Sequence, residues 1–326
     1  MAWRQALRSV GVLLVAGLSV GLWPAVAGAE DTVAFTLSDP RIVESSGLAA
    51  DPVAELYWTV NDSDESGLAY GITPAGKVQG TLGFRVAPVD LEAVAVSNGR
   101  LYLGDIGDND RDRPEVTVYY FDNPQATNQI TTYNSWDFRY PDGRHDAEAL
   151  LVTPTGRLYF VTKGAKGGVY VAPKEPSSVG VNQLTKVGDA PALVTDGVFL
   201  PDGSMALLTP SSVEVVDAKT SKKVASADIP QQKQAESLSL SLDGSSLLVG
   251  SEGRRSKVYS MPVPASTTPG PTPSAPADPD SGDPEEDPEA SAAAGNRGTL
   301  MAVGVAAVVA VVAGVVVGFV RRPGSG

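Results

Sequence analysis

Asp90 and Glu92, and again Asp146 and Glu148, open two apolar runs with a pair of carboxylates each. Glu148 leads directly into Ala149-Leu150-Leu151-Val152, a segment that reads as an inner strand. A strand bound for the interior does not begin on paired charge unless something there receives it. Several such acids meeting in one low-dielectric place repel each other, so either some are protonated or a cation sits among them. A third option is that each acid accepts hydrogen bonds from backbone N–H groups of a neighbouring element and serves only to hold the fold together. Which of these applies depends on what the elements around the acids do.

The phrase recurs. "DLEAVAVSNGRLYLGD" (90–105) and "HDAEALLVTPTGRLYF" (145–160) share acid, apolar residue, acid, four apolar residues, a turn ending in Gly, then Arg-Leu-Tyr. "TDGVFLPDGSMALLTP" (195–210) keeps one acid, and "AESLSLSLDGSSLLVG" (235–250) keeps Glu236 and the turn. "ESSGLAADPVAELYWTVND" (44–62) is the earliest copy, with Glu44 and Ser46 at the acid positions. Aligned on their turns, the equivalent residues are Ser46, Glu92, Glu148, Asp196 and Glu236, spaced 40 to 56 residues apart. A repeat of that length made of short strands is a propeller blade. The punctuation by Gly, Pro and polar turns gives strands at 91–96, 101–107, 116–123 and 132–140 in one copy and 147–152, 157–163, 168–173 and 182–188 in the next. A strand at 32–38, ahead of the first copy, makes twenty and completes the last blade. The expected fold is all-β, a five-bladed β-propeller. Six blades is the alternative and would need a hidden copy, for which no stretch is long enough. A β-sandwich would not need an acid at one fixed place in each copy.

In a blade the first strand is innermost, and its start lies at the same end as the end of the second strand. The five repeated positions therefore ring one mouth of the axial channel, and the segments after the second strands crowd the same face. Carboxylates, a hydroxyl and backbone carbonyls suit a hard cation such as Ca²⁺. Zinc fits poorly, because the chain has no cysteine and His145 is its single histidine. The expected ion ligands are Ser46, Glu92, Glu148, Asp196 and Glu236. Glu44, Asp90 and Asp146 stand behind them. "GDIGDNDRDR" (104–113) offers Asp105, Asp108 and Asn109, with Asp110 and Asp112, as a second cage or as a solvated turn; it lacks the EF-hand spacing. Lys163, Lys166, Arg254 and Arg255 come from loops of that face and suit an anionic ligand, or are ordinary surface bases. His145 beside Asp146 is a general base or a solvated loop residue.

The rest of the chain frames this head. Arg4 and Arg8 precede an apolar stretch, and Ala27-Gly28-Ala29 supplies small residues for cleavage, so residues 1–29 read as a secretory signal cut after Ala29. The propeller spans 30–264. Residues 265–298 are rich in Pro, Ser and Thr and then acidic, a composition that makes an extended, disordered stalk. Residues 299–320 carry no charge from Leu300 to Val320, enough for one transmembrane helix, and Arg321-Arg322 begin a cytoplasmic tail, 321–326. Gly314 and Gly318 form a GxxxG that can pair such helices weakly. The net charge of −13 argues against nucleic acid as a partner, and the absence of cysteine excludes disulfides and thiol chemistry from an exported chain.

At "ESSGLAA", "LYWTVND", "DLEAVAV", "GRLYLGDIGDN", "DAEALLV" and "RLYFVTK" the chain resembles exported bacterial propellers of the phytase-like and gluconolactonase-like groups. The five-fold pattern of an inward Ser or acid is similar to calcium-activated nucleotidases of the apyrase type. The resemblance implies five blades and a central calcium carried by Ser46, Glu92, Glu148 and Glu236. Two functions follow as expectations. The first is a membrane-anchored, calcium-binding head at the bacterial cell surface that holds an anionic small molecule, a glycan or an envelope protein. The alternative is a calcium-dependent hydrolase of a phosphoester or lactone, with Lys163 or Arg254 stabilising developing charge; no GxSxG motif is present for serine chemistry.

Overall fold

The computed structural model describes residues 32–62 and 66–265, and their regular structure is all strand. The segments expected to be a signal, a transmembrane helix with Gly314 and Gly318, a cytoplasmic tail and, beyond residue 265, a stalk lie outside the described residues. Among the described residues no helix is long and apolar enough to cross a membrane.

β1 (Thr32–Thr36) precedes five units. The first blade is β2 (Ser45–Asp51), β3 (Leu56–Asn61), β4 (Gly67–Ile72) and β5 (Val78–Phe84). The second takes β6 (Leu91–Ser97), β7 (Arg100–Asp105) and β8 (Val116–Asp122), then, after β9 (Gln129–Thr131), β10 (Asn134–Arg139). The third is β11 (Ala147–Val152), β12 (Leu158–Thr162), β13 (Gly167–Val171) and, after β14 (Val181–Gln183), β15 (Thr185–Ala190). The fourth is β16 (Asp196–Phe199), β17 (Met205–Leu208), β18 (Ser212–Val216) and β19 (Lys223–Asp228). The fifth is β20 (Ala235–Leu240), β21 (Leu247–Ser251), β22 (Lys257–Met261) and, antiparallel to β22, β1. The inner strands touch in cyclic order, β2 to β6, β6 to β11, β11 to β16, β16 to β20 and β20 back to β2, so the ring is closed.

Local sequence explains the hairpins. Asn98 (φ 52°) and Gly99 (φ 70°) make the two-residue turn between β6 and β7, a geometry that needs positive φ at both positions and selects Asn-Gly. The apolar continuity of the inner strands has a packing cause. Among the described residues there are five apolar clusters, one at each interface between blades. Along β11, Ala147 and Leu150 face the second blade while Ala149 and Leu151 face the fourth. Both faces of the strand are covered, so polar alternation disappears.

The two strands beyond the expected twenty are β9 and β14. Each is three residues long and adds in parallel to the outer edge of the preceding blade, β9 on β5 and β14 on β10. The stretch read as one strand at 182–188 is in fact two, serving the second and third blades in turn. So short a segment carries no periodicity of its own, and its role is to cover an otherwise open edge.

Closure rests on β1. Phe35 is buried beside Tyr57, with ring centroids 5.4 Å apart, in the cluster between the fifth and first blades. Phe35→Ala is expected to cost about 3–5 kcal/mol in urea unfolding; a loss under ~1 kcal/mol would show that closure is carried elsewhere.

Candidate functional site

Four of the five inner strands begin with a β-bulge. It falls between Ser46 and Ala49 in β2, Leu91 and Ala93 in β6, Ala147 and Ala149 in β11, and Ala235 and Ser237 in β20. A bulge leaves one residue unpaired and re-aims its side chain. Here the residues so placed are Glu92, Glu148 and Glu236, with Ser46 opening the bulge of the first blade. All four line one cavity of about 160 Å³ at the channel mouth. The pairing of β16 with β17 runs from Asp196 without a bulge, and Asp196 does not line this cavity.

A second tier comes from the residue just past each second strand. The N–H of Asp62 donates to Glu44 O, that of Lys163 to Asp146 O and that of Glu252 to Gln234 O, at 3.0, 2.9 and 3.1 Å. These equivalent bonds place Asp62, Lys163 and Glu252 around the same cavity. Sequence reasoning assigned no role to Asp62 or Glu252, although the copy that has Ser46 in place of an acid carries Asp62 one residue past its second strand.

The enclosure is strongly acidic. Glu44, Asp62, Glu92, Glu148, Glu236 and Glu252 line it, and among the described residues Lys163 is the one base doing so. Lys163 Nζ bonds Glu148 Oε1 at 2.5 Å. Burial pulls the lysine down, but the bond to Glu148 and the charges of Glu148, Glu236 and Glu92 outweigh it and raise its pKa. Ser46 Oγ lies 2.7 Å from Glu92 O and 3.1 Å from Glu92 Oε2. Glu236 Oε2 is buried and has no hydrogen-bond partner. Carboxylate oxygens of Asp62, Asp90 and Glu92 all lie within 4.8 Å of one another.

Burial, then the charges of Glu148, Asp62 and Asp90, push Glu92 up to about 10. Burial raises Glu148 to about 8 in spite of Lys163. Burial and the shared bond with Asp62 raise Asp90 to about 7. Burial likewise raises Asp62 and Glu236. A neutral carboxyl can bond a neighbouring carboxylate, as Asp90 and Asp62 do. The charged state of the whole set requires a cation.

Asp196 shows the other use of a buried acid. Its carboxylate accepts from Leu238 N at 2.6 Å and Gly197 N at 2.7 Å, and also from Leu48 N, tying β16, β20 and β2 together. The polar loop after β7 is likewise occupied with itself. Asp105 pairs with Arg113 at 2.8 Å and accepts from Val89 N and Asp90 N. Asp108 accepts from Asp112 N and Arg113 N, and its own N–H donates to Asp146 Oδ1. These bonds shape the segment that carries Asp90, and Asn109 alone of that loop lines the cavity. Lys166 is exposed outside it. Arg254 and Arg255 line a different cavity. His145 is bonded to Asp142 at 2.9 Å and to the Tyr170 hydroxyl at 3.1 Å, away from the mouth.

The sequence matches no protein-family model and no curated protein. Solved structures similar in shape include a luciferin-regenerating enzyme (11% identity over 67% of this chain and 91% of that one, TM-score 0.41). A gluconolactonase from Xanthomonas campestris shares 14% over 70% and 89%, at a TM-score of 0.41. A β-propeller domain from Myceliophteria thermophila shares 12% over 68% and 65%, at 0.39. At these scores the likenesses carry no argument, and the fold rests on the chain's own strand order.

The raised carboxyls give a pH dependence of definite sign. An acid whose folded pKa lies above its unfolded value stabilises the fold fully below the unfolded pKa, and that contribution is lost as pH rises through the folded one. Without divalent cations, the wild type is therefore expected to lose ground to Glu92→Gln from about pH 5 towards pH 10, by up to ~1.4 kcal/mol per pH unit. Calorimetry of both proteins across that range checks it; parallel curves would mean that Glu92 is already ionised and compensated.

Proposed function

We propose that the protein is an exported, membrane-anchored propeller whose channel mouth binds a calcium ion and through it a ligand at the cell surface. The observation that carries the reading is the buried, unpartnered Glu236 Oε2 in the cavity that Asp62 and Glu92 also line, their oxygens lying within 4.8 Å of each other and of Asp90. An oxygen set spread over no more than 4.8 Å can be spanned by one ion at metal–oxygen distances of about 2.4 Å, the calcium range. The donors are all oxygens, which favours a hard cation over zinc. Asp196 supports the assignment by contrast: where an acid serves only to bind strands together, it collects backbone N–H donors. Glu92 and Glu148 take a hydroxyl and an ammonium instead.

The two ends of the described chain share one face of the ring. Leu247 pairs with both Leu240 and Met261, so β22 ends at the face opposite the acidic mouth. Thr32 pairs with Ser260, so β1 begins at that same face.

Occupation by calcium would favour ionised carboxylates around it and, by engaging Glu148, would free Lys163 to meet an anionic group of the ligand. A second reading, a calcium-dependent hydrolase of a phosphoester or lactone, is favoured by Glu148, a carboxyl near 8 in the same cavity as the ion seat. Turnover of phosphate esters or lactones by the full-length chain, dependent on calcium, would select it over the binding head.

Calcium at 100 times its Kd is expected to stabilise the wild type by about 2.7 kcal/mol, a Tm rise of roughly 5–10 °C. At pH 8 binding should release protons. Both effects should vanish in Glu92→Gln and Asp62→Asn. A wild-type Tm indifferent to calcium would overturn the metal reading.

A further inference from the structure

Beside the acidic mouth, and separate from it, lies a second cavity of about 390 Å³ between the connection leading into β20 and the β21–β22 loop. Its charge is the reverse of its neighbour's. Lys233, Arg254, Arg255 and Lys257 line it, against the single acid Glu252, which also faces the acidic cavity. Among the described residues none of the four bases forms an ion pair; Arg254 Nη1 reaches only Pro40 O, at 3.4 Å. Within a chain of net charge −13, four bases share one concavity with a single acid, Glu252, which pairs with none of them.

The walls of the cavity carry independent evidence of a missing partner. Ser256 is 8% exposed, and its Oγ has no hydrogen-bond partner. Both polar atoms of the Gln232 side chain are buried and also lack one. Buried hydroxyls and carboxamides are normally satisfied, and leaving them unpaired is costly. The Ser256 backbone is otherwise engaged, its carbonyl accepting from Leu37 N at 2.9 Å, so the residue is fixed in place with its hydroxyl free.

We infer that this cavity is an anion site taking the phosphoryl or sulfuryl group of a small molecule. A tetrahedral oxyanion accepts from a guanidinium fork, ammonium groups, a hydroxyl and an amide N–H at once, which is the donor set assembled here. The volume falls in the range of small-molecule sites, about 300–1,000 Å³, and exceeds what a bare ion needs. Tyr259 and Gln231 line the remaining space, where a hydroxylated body attached to the anion would rest. The sequence groups Arg254 and Arg255 with Lys163 and Lys166 around one ligand. The structure separates them, leaving Lys163 with the acids and joining the arginines to Lys233, Lys257, Gln232 and Ser256. The site goes beyond the calcium reading and does not depend on it.

The test is calorimetric titration of the full-length chain with inorganic phosphate, inorganic sulfate and glucose 6-phosphate at about 0.15 M salt, where unspecific surface attraction is screened. Saturable binding of at least one of them, one per chain, is expected. Tighter binding of the sugar phosphate than of phosphate would assign an organic ester, and equal binding the free ion; either supports the site. The double variant Arg254→Gln/Lys257→Gln should weaken binding by about tenfold or more, and Ser256→Ala by about threefold. Both variants should keep the calcium-induced Tm rise and the wild-type Tm in its absence, which separates this site from the channel mouth. If the double variant fails to fold, Ser256→Ala, which removes a single hydroxyl, still decides. The inference is overturned if none of the three anions saturates, if binding is unchanged in the variants, or if it is lost in Glu92→Gln.

Discussion

The hydrogen bonds between β1 and β22 join the two ends of the described chain and turn a succession of hairpins into a wheel. Every other feature depends on that join. Each blade is stable only with a neighbour on both faces, because its apolar side chains are divided between two inter-blade clusters. An open arc of five blades would leave the outer face of its first and last blades to water. Closing the arc buries Phe35, Ile42 and Leu37 against Tyr57 and Ile72, and it also brings the five inner-strand starts onto one axis.

Convergence creates an electrostatic problem that the fold answers in different ways at different blades. At the fourth blade the acid is fully enclosed, and although burial holds its pKa well above the usual carboxylate range, backbone N–H groups of three strands occupy its oxygens, so Asp196 becomes a fastener. At the first, Ser46 replaces the acid and donates to Glu92. At the third, Lys163 supplies a tethered cation. Glu236 and the Asp62–Asp90–Glu92 group lack such backbone donors: Glu236 Oε2 has no partner, and the other three carboxylates crowd within 4.8 Å of one another. Asymmetry within a repeated architecture is thus what makes a site out of a ring. The four strand-start bulges supply the geometry, turning carboxylates toward the axis, where a regular ladder would have directed them into the apolar clusters between blades.

Much of this was legible in the residues. The blade period, the five equivalent positions and the inner strand starts follow from repetition, and the hairpin turns from Asn-Gly, Pro-Asp-Gly and Asp-Gly pairs whose φ preferences are local. Ser46, Glu92, Glu148 and Glu236 do meet in one cavity. What escaped were contacts between residues with no common spacing. Asp105 and Asp108 look like ion ligands in a string of acids, yet Arg113 and the loop's own N–H groups occupy them. β9 and β14 are too short to announce themselves and exist because a neighbouring blade has an open edge. Asp62 is ordinary in a loop of acids until its N–H bond to Glu44 O sets it beside Asp90.

The sequence by itself determined the period, the blade count and the placing of an acid or hydroxyl at the head of each inner strand, since these are properties of order along the chain. Only the tertiary structure decided which of those acids keeps its charge to itself, which shares it and which is tied into the backbone. It also decided that Lys163 and Arg254, both bases on one face, belong to two cavities of opposite sign. Charge compensation depends on distance and burial across blades, and residues forty or more positions apart acquire both only when the ring closes.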